Sequence, residues 1–402
     1  MHILLIPSWY KSLTEPVLGT FFEEQARALM KAGHHVGVIY PQLAPVRALF
    51  EKKDEVKHFV NDNGLPTYSV IYQSMVPKLR KLIYKKFAVA VEKVYIEYEK
   101  NYGKPDIIHA HSVFHGGIAA FFIAQNHNIP FVITEHLTSF MTGGISHKDD
   151  VEISCEVFNS ADASVIVSQN FKKDIQAALK LNDNTFSVIH NMVSDIFFEN
   201  VTTKNYKQDD QFMFFTNSFL LPRKNHKAIL DAMRILVKEQ GHSHIHLKIG
   251  GDGPLNDELR DYVFSSGLNE NVTFLGALTR AQVKTETDTS HAFVLASFYE
   301  TFGVVLIESL ACGRPVVVTD SGGPRDFIHE GNGVMVNDFT GEKLASGMLK
   351  LVNNYQSYQQ TQLSKECYSR FNEKKIETEL EQLYKKVLNS KSIDTAAVSS
   401  TS

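Results

Sequence analysis

The chain alternates short apolar runs with amphipathic stretches. Residues 2–6 (HILLI) form an apolar run that reads as a strand buried on both faces. A loop with Pro7, Pro16 and Gly19 follows. FFEEQARALMKAG (21–33) then repeats apolar positions at helical spacing and stops at Gly33. HVGVIYP (35–41) is the next strand, ended by proline. Strand, helix, strand in that order gives parallel strands joined by a right-handed crossover. The theme recurs: strand 106–109, helix 116–125, strand 130–134, a helix ending near Asn159, strand 163–167, helix 170–179 and strand 186–191.

Residues 199–211 (ENVTTKNYKQDDQ) are polar and unpatterned and read as a linker. A second series begins beyond them. Strands are expected at 212–217, 244–251, 272–276, 292–296 and 315–320, and helices at 226–240, 256–265 and 303–312. The pattern predicts an α/β protein with two doubly wound domains, in which ligands bind beyond the carboxyl ends of the strands. The expected boundaries are 1–198, 199–370, a helix over 371–390 and a disordered polar tail over 391–402. No repeat of fixed period is present.

Composition narrows the function. At 402 residues and 45.3 kDa the chain is too long for one ordinary core. A net charge of −4 lacks the basic excess of a dedicated nucleic-acid binder. Cys155, Cys312 and Cys367 lie far apart, which fits a reducing compartment better than a disulfide framework. MHILLIPSWY has no basic leader, and no apolar run approaches the ~18 residues of a membrane span. The expected location is the cytoplasm, at most peripheral to the membrane.

The strongest chemical signal is ASFYETFGVVLIESLACGRPVVVTDSGG (296–323). A strand ends near Ser297, Glu300 lies in the loop, and a helix starts near Gly303 with amides able to meet an anion. Glu308 sits within an otherwise apolar helix. Such a carboxylate needs a partner, which is either a sugar diol or a structural arginine. SFLLPRKNHKAIL (218–230) puts Arg223 and Lys224 at a strand-to-helix turn, as a phosphate grip or as a solvated basic turn. GGDGP (250–254) is a strand-ending turn without the phosphate-loop lysine. In the first half, Gly19-Thr20 opens a helix, and Glu135 and His136 follow a strand end.

Together these segments resemble the family 4 retaining glycosyltransferases of the GT-B fold, which use nucleotide sugars. The family's E-x7-E motif is matched by Glu300 and Glu308 in ETFGVVLIE. Gly313, Pro315 and Val316 match its GxPVV segment, Gly322-Gly323 its GG turn, and residues 251–254 its GDGP. GTFFEEQARALMKAGHHV is similar to its glycine loop and first helix. The resemblance runs from Met1 to about Leu388. It implies two Rossmann-like domains facing across a cleft, the first binding acceptor and the second the donor. It further implies Lys224 on the donor diphosphate, Glu308 on the ribose and Glu300 near the transferred sugar. Phe302, Gly303 and Val304 would stand at the phosphate-binding helix start, Leu278 by the base, Gly19 in the loop facing donor and acceptor, and His136 near the reacting carbon. His136, Lys224 and Glu300 are the catalytic candidates. Gly19, Arg223, Lys224, Leu278, Glu300, Phe302, Gly303, Val304 and Glu308 are the donor-binding candidates.

Two positions depart from the family pattern. Phe219 stands where an arginine is usual, preceded by Ser218 in place of glycine, which leaves Arg223 as the substitute cation. Asp326 stands where glutamate is common. No D-x-D triplet occurs, so no essential metal is expected, and the resemblance implies no cofactor beyond the nucleotide-sugar substrate. His242, His244 and His246, and likewise His109, His111 and His115, read as strand-surface residues rather than zinc ligands. Residues 75–100 read as a helix with five cations over 78–86, either an ordinary surface helix or one resting on an anionic membrane. The implied reaction moves a sugar from a UDP- or GDP-sugar to a glycan or lipid-linked glycan hydroxyl, in surface polysaccharide or glycoconjugate assembly. The alternatives are a non-catalytic nucleotide-sugar-binding partner of another transferase, and a GT-B nucleotide-sugar epimerase.

Overall fold

A computed structural model describes residues 1–11, 18–43, 56–60, 64–72, 80–181, 186–207 and 210–399. The chain divides into two units, Met1–His190 with Ile376–Ser402, and Asn191–Lys375. The division falls after His190, where the sequence pattern placed it after 198. Residues 75–79 of the expected basic helix, 208–209 of the expected linker and the last three tail residues lie outside the described residues.

The first unit carries an eight-stranded sheet of order β3-β4-β2-β1-β5-β6-β7-β8. Its strands are β1 (His2–Pro7), β2 (His35–Leu43), β3 (Val56–Val60), β4 (Pro66–Tyr72), β5 (Ile107–His111), β6 (Phe131–Glu135), β7 (Ala163–Ile166) and β8 (Phe186–Val188). Only the edge strand β3 runs antiparallel to its neighbour. Every residue of β5 (IIHAH) and β6 (FVITE) is buried, the polar His109, His111, Thr134 and Glu135 included. The helices are α1 (Thr20–Lys31), α2 (Arg80–Tyr102), α3 (Ile118–His127), α4 (Lys148–Ser160) and α5 (Gln169–Leu179). α2 packs on β2 and β4, close enough that a Cβ at Gly37 would lie 2.1 Å from the Tyr98 hydroxyl.

Strand order reverses between β1, which leads to β2 and β4 on one side, and β5, which leads to β6, β7 and β8 on the other. Ligand crevices form at such reversals, at the carboxyl ends of the strands. Gly19 lies in the loop after β1, the strained Ser112 (φ 65°) follows β5, and His136 follows β6. Of the first unit's candidates, Gly19 follows a strand of the reversal and His136 follows the next strand outward from β5.

The second unit has a six-stranded parallel sheet of order β11-β10-β9-β12-β13-β14. Its strands are β9 (Phe212–Asn217), β10 (Ile245–Gly250), β11 (Val272–Gly276), β12 (Ala292–Leu295), β13 (Val316–Thr319) and β14 (Gly333–Val336). The helices are α6 (His226–Arg234), α7 (Asn256–Ser265), α8 (Arg280–Thr289), α9 (Val304–Ala311), α10 (Gly341–Asn353) and α11 (Gln360–Phe371). Here the order reverses between β9 and β12. The loops that follow those two strands hold Arg223 and Lys224, and Glu300 and Gly303.

The terminal helix α12 (Glu373–Ser399) starts in the second unit and belongs to the first from Ile376. Asn372 separates it from α11, so the helix expected over 371–390 begins at Glu373 and runs further. α12 contains neither glycine nor proline and stays helical to Ser399, well into the segment expected to be disordered from 391.

Candidate functional site

The second unit gathers most of the candidates. Lys224 Nζ donates to Glu300 Oε1 at 2.6 Å, and both side chains are largely shielded from water. Their loops are stitched together, since the Phe298 amide donates to the Arg223 carbonyl at 2.9 Å. The Glu300 amide donates to the Ser321 carbonyl at 2.9 Å, and the Gly323 amide donates to the Glu300 carbonyl at 2.8 Å. A Cβ at Gly323 would sit 2.4 Å from the Thr301 carbonyl carbon, so only glycine lets the two loops meet. The GG turn thus serves to hold Glu300 in place.

α9 begins at Gly303, whose φ of 97° is the left-handed region. The helix has no side-chain cap and no acidic residue in its first turn. Its first amides have no acceptor within the helix and carry the positive end of the helix dipole, so they suit an anion. One turn on, Glu308 is 2% exposed. Its Oε1 pairs with Arg280 Nη1 at 2.7 Å, while its Oε2 is buried without a hydrogen-bond partner. The sequence offered a structural arginine and an external hydroxyl as alternatives; the arginine is present and one carboxylate oxygen remains unsatisfied.

Arg280 was not among the sequence candidates. It starts α8 directly after Thr279, whose hydroxyl accepts from the Gln282 amide in a capping box. That T-x-x-Q signal marks a helix start, but nothing local reveals that the guanidinium reaches Glu308. Leu278 is half-buried and packs at the end of β10, with its Cδ1 2.7 Å from where a Cβ of Gly250 would stand. Arg223 is exposed, and so is Phe219. The Phe302 ring is buried against Phe327 and Phe371, with centroids 5.0 and 5.7 Å away. Phe302 therefore presents its backbone, not its ring, to this loop.

The GDGP turn is built into the same region. Ser218 donates its amide to Gly250 at 3.2 Å and Leu220 to Asp252 at 2.9 Å. A Cβ at Gly251 (φ 115°) would fall 1.9 Å from the Ser218 carbonyl oxygen. The glycine admits that close crossing of backbones and so fixes the path from Ser218 to Lys224.

In the first unit, the α1 N-cap Gly19 (φ 71°) lies against Phe22, whose ring centroid is 5.4 Å from that of His136. Gly19 and His136 therefore share one neighbourhood. His136 is clamped from below by Glu135. That buried carboxylate accepts the amides of Val113, His136 and Leu137, each at 2.7 Å. Burial pushes the Glu135 carboxyl up, against the opposing pull of those amides. His136 Nε2 shares a hydrogen bond with His111 Nδ1 at 3.2 Å. His109 continues the buried array, with Nδ1 2.6 Å from the Tyr384 hydroxyl and Nε2 2.8 Å from the Thr134 hydroxyl.

His109 and His111 are fully buried, which corrects their reading as strand-surface residues. β5 is covered on both faces, so the alternation of HAH does not put its histidines in water. Burial drives His109 and His136 down to about 3, and His111 well below the ordinary histidine value. His136 is therefore neutral at pH 7. A neutral imidazole can orient or polarise a substrate group, and it offers no fixed positive charge.

Residues 18–195 match Glycosyltransferase Family 4, and residues 197–368 match Glycosyl transferases group 1. An uncharacterized glycosyltransferase of Methanocaldococcus jannaschii is 26% identical over 342 residues, 80% of this chain and 87% of the relative. The alpha-monoglucosyldiacylglycerol synthase of Streptococcus pneumoniae is 24% identical over 320 residues, 72% of this chain and 70% of the relative. The structure of Anabaena HepE in complex with UDP-glucose superposes with a TM-score of 0.72 at 17% identity, covering 97% of this chain and 100% of that one. The chain belongs to the family 4, group 1 glycosyltransferases, and its two α/β units are those of the GT-B fold.

Proposed function

We propose that this glycosyltransferase takes its sugar from a nucleotide-sugar donor held by the second unit, and transfers it with retention of anomeric configuration and without a metal. One observation carries the reading. The Lys224–Glu300 pair, the uncapped start of α9 and the unsatisfied Glu308 Oε2 follow the two strands at which the sheet order reverses, or lie one turn beyond. Their chemistry matches a sugar diphosphate with a ribose attached. Lys224 and the amides of Val304 and Val305 meet the phosphates, and Glu308 Oε2 accepts a ribose hydroxyl.

Breaking the bond between sugar C1 and phosphate puts negative charge on the departing diphosphate. Fixed donors aimed at that charge lower the barrier because they need no reorganisation. In the family, Lys224 and the α9 start would be those donors, with Arg223 at the exposed rim in place of the missing arginine at Phe219. Glu300 holds Lys224 in place and lies where the sugar would rest. Retention without a nucleophilic side chain follows if the acceptor hydroxyl attacks on the face that the phosphate leaves. The leaving oxygen then takes the acceptor's proton. The S. pneumoniae relative and HepE support a lipid or glycan acceptor and a UDP-sugar donor respectively.

A second observation bears on the acceptor. α2 buries Phe87, Val91, Val94 and Tyr98, yet its outward face carries Leu82, Lys86, Val89, Lys93, Ile96 and Lys100 in alternation. Val89 is 61% exposed. Apolar rungs between lysines suit the interface of an anionic bilayer, with the lysine stems reaching the headgroups. No described helix is long and apolar enough to cross a membrane. This face supports a lipid-linked acceptor presented at a membrane surface.

The test is product stereochemistry. UDP-, GDP- and ADP-sugars are offered in excess chelator, and the anomeric proton of the released or transferred sugar is followed by NMR. Turnover with retained configuration supports the reading. Inversion, or turnover that requires added metal, overturns it.

A further inference from the structure

We propose that His34, Glu377 and Glu381 form a divalent-metal site suited to zinc, which fastens the returning helix α12 to the first unit. The three donor atoms lie within 4.8 Å of one another. His34 sits in the turn after α1, fixed by its amide donating to the Leu29 carbonyl at 3.2 Å. Glu377 and Glu381 stand one helical turn apart on α12, so they share a face. The His34 and Glu377 side chains are only 6% and 3% exposed, and His34 Nε2 has no hydrogen-bond partner.

The spacing favours a metal over direct contact. His34 Nε2 lies 3.6 Å from Glu381 Oε1 and 3.9 Å from Glu377 Oε1, too long for a hydrogen bond. Zinc bonds of about 2.0–2.1 Å put tetrahedral ligands about 3.3 Å apart. The histidine-to-carboxylate distances are close to that, and the three donors draw in from within 4.8 Å to close the set. One imidazole with two carboxylates is a zinc donor set, whereas calcium and magnesium take more oxygens. Lys385 holds Glu381 Oε2 at 2.9 Å, which leaves Oε1 turned toward His34. A water completes the fourth position.

Location gives the site its role. Glu377 is the second residue of α12 after the chain re-enters the first unit at Ile376. A metal there ties that entry point to the turn between α1 and β2. The Lys224 loop belongs to the other unit, so the metal takes no part in the chemistry proposed there and the inference stands independently of that reading.

His34 Nδ1 lies 3.4 Å from the Met1 amine, so Nε2 is the ring nitrogen turned to the two carboxylates.

The experiment is calorimetric titration of the full, untagged chain with zinc in excess magnesium, read beside the melting temperature. The wild type is expected to take one zinc and melt higher with it. His34→Ala and Glu381→Gln are expected to lose at least tenfold in affinity and the zinc-dependent rise. Glu381 is the more exposed ligand, so its variant remains informative if His34→Ala misfolds. Absence of uptake by the wild type, including a His34 that merely protonates between the carboxylates, overturns the proposal. So does equal uptake by a folded Glu381→Gln.

Discussion

Arg280 Nη1 holds Glu308 Oε1 at 2.7 Å and leaves the other carboxylate oxygen buried and unsatisfied. The arginine permits a charge at this depth, and the free oxygen gives that charge a use. Removing the arginine strands a buried carboxylate. Arg280→Ala is expected to cost about 2 kcal/mol of stability, measured by urea unfolding. Adding Glu308→Gln should recover much of that loss, because the stranded group is then neutral. Equal stability of Arg280→Ala and wild type would show that the pair contributes nothing.

Lys224→Ala should lower kcat by about 10²–10³-fold, the range for loss of one fixed donor to developing charge. Donor binding should fall less, since the α9 start remains. Steady-state kinetics with saturating donor checks this. A change in KM alone would assign Lys224 to ground-state binding.

Gly251→Ala places a methyl 1.9 Å from the Ser218 carbonyl oxygen at a φ of 115°. The turn must then open and carry the path to Lys224 with it. A loss of about 2–3 kcal/mol is expected, with activity reduced beyond what the unfolded fraction explains. Gly33→Ala is the control, because nothing lies within 4 Å of its added carbon even though its φ is 89°.

How much of this was legible in the sequence depended on whether the signal was local. The loop positions of Lys224 and Glu300 were, because both lie in short loops after apolar strands and β9 and β12 are plain in the pattern; their roles came from the family resemblance. Arg280 was not, because its partner is far along the chain and its own surroundings read as a helix start. β3 and β4 were missed since VKHFV and PTYSVIY are short runs of mixed polarity. The HAH of β5 suggested a wet face, and only the covering of both faces shows otherwise. Phe302 was placed beside the donor by motif alone, while its ring belongs to the core.

The buried histidines set a pH dependence. His109 and His136 are pushed down to about 3 from an unfolded value near 6.5. Between those values the unfolded chain binds protons that the folded chain refuses. Their contribution is fully present above pH 6.5 and is lost as pH falls toward 3, at about 1 kcal/mol per pH unit for each group. Urea midpoints at pH 7.5, 6 and 5 should therefore decline. A flat profile would mean that the histidines protonate in place.

The outward face of α2 predicts binding to anionic vesicles that weakens with salt. Lys86→Glu with Lys93→Glu should reduce sedimentation with phosphatidylglycerol vesicles at least tenfold while leaving donor hydrolysis intact. Unchanged binding would remove α2 from the account of the acceptor.

The central claim is that the second unit's loops hold a nucleotide sugar through Lys224, the α9 start and Glu308 Oε2. Calorimetric titration of UDP-, GDP- and ADP-sugars in chelator tests it most directly. One donor class should bind to the wild type, and Glu308→Ala should weaken it at least tenfold with the fold intact by circular dichroism. Binding that survives Glu308→Ala unchanged, or no binding of any nucleotide sugar, would contradict the account.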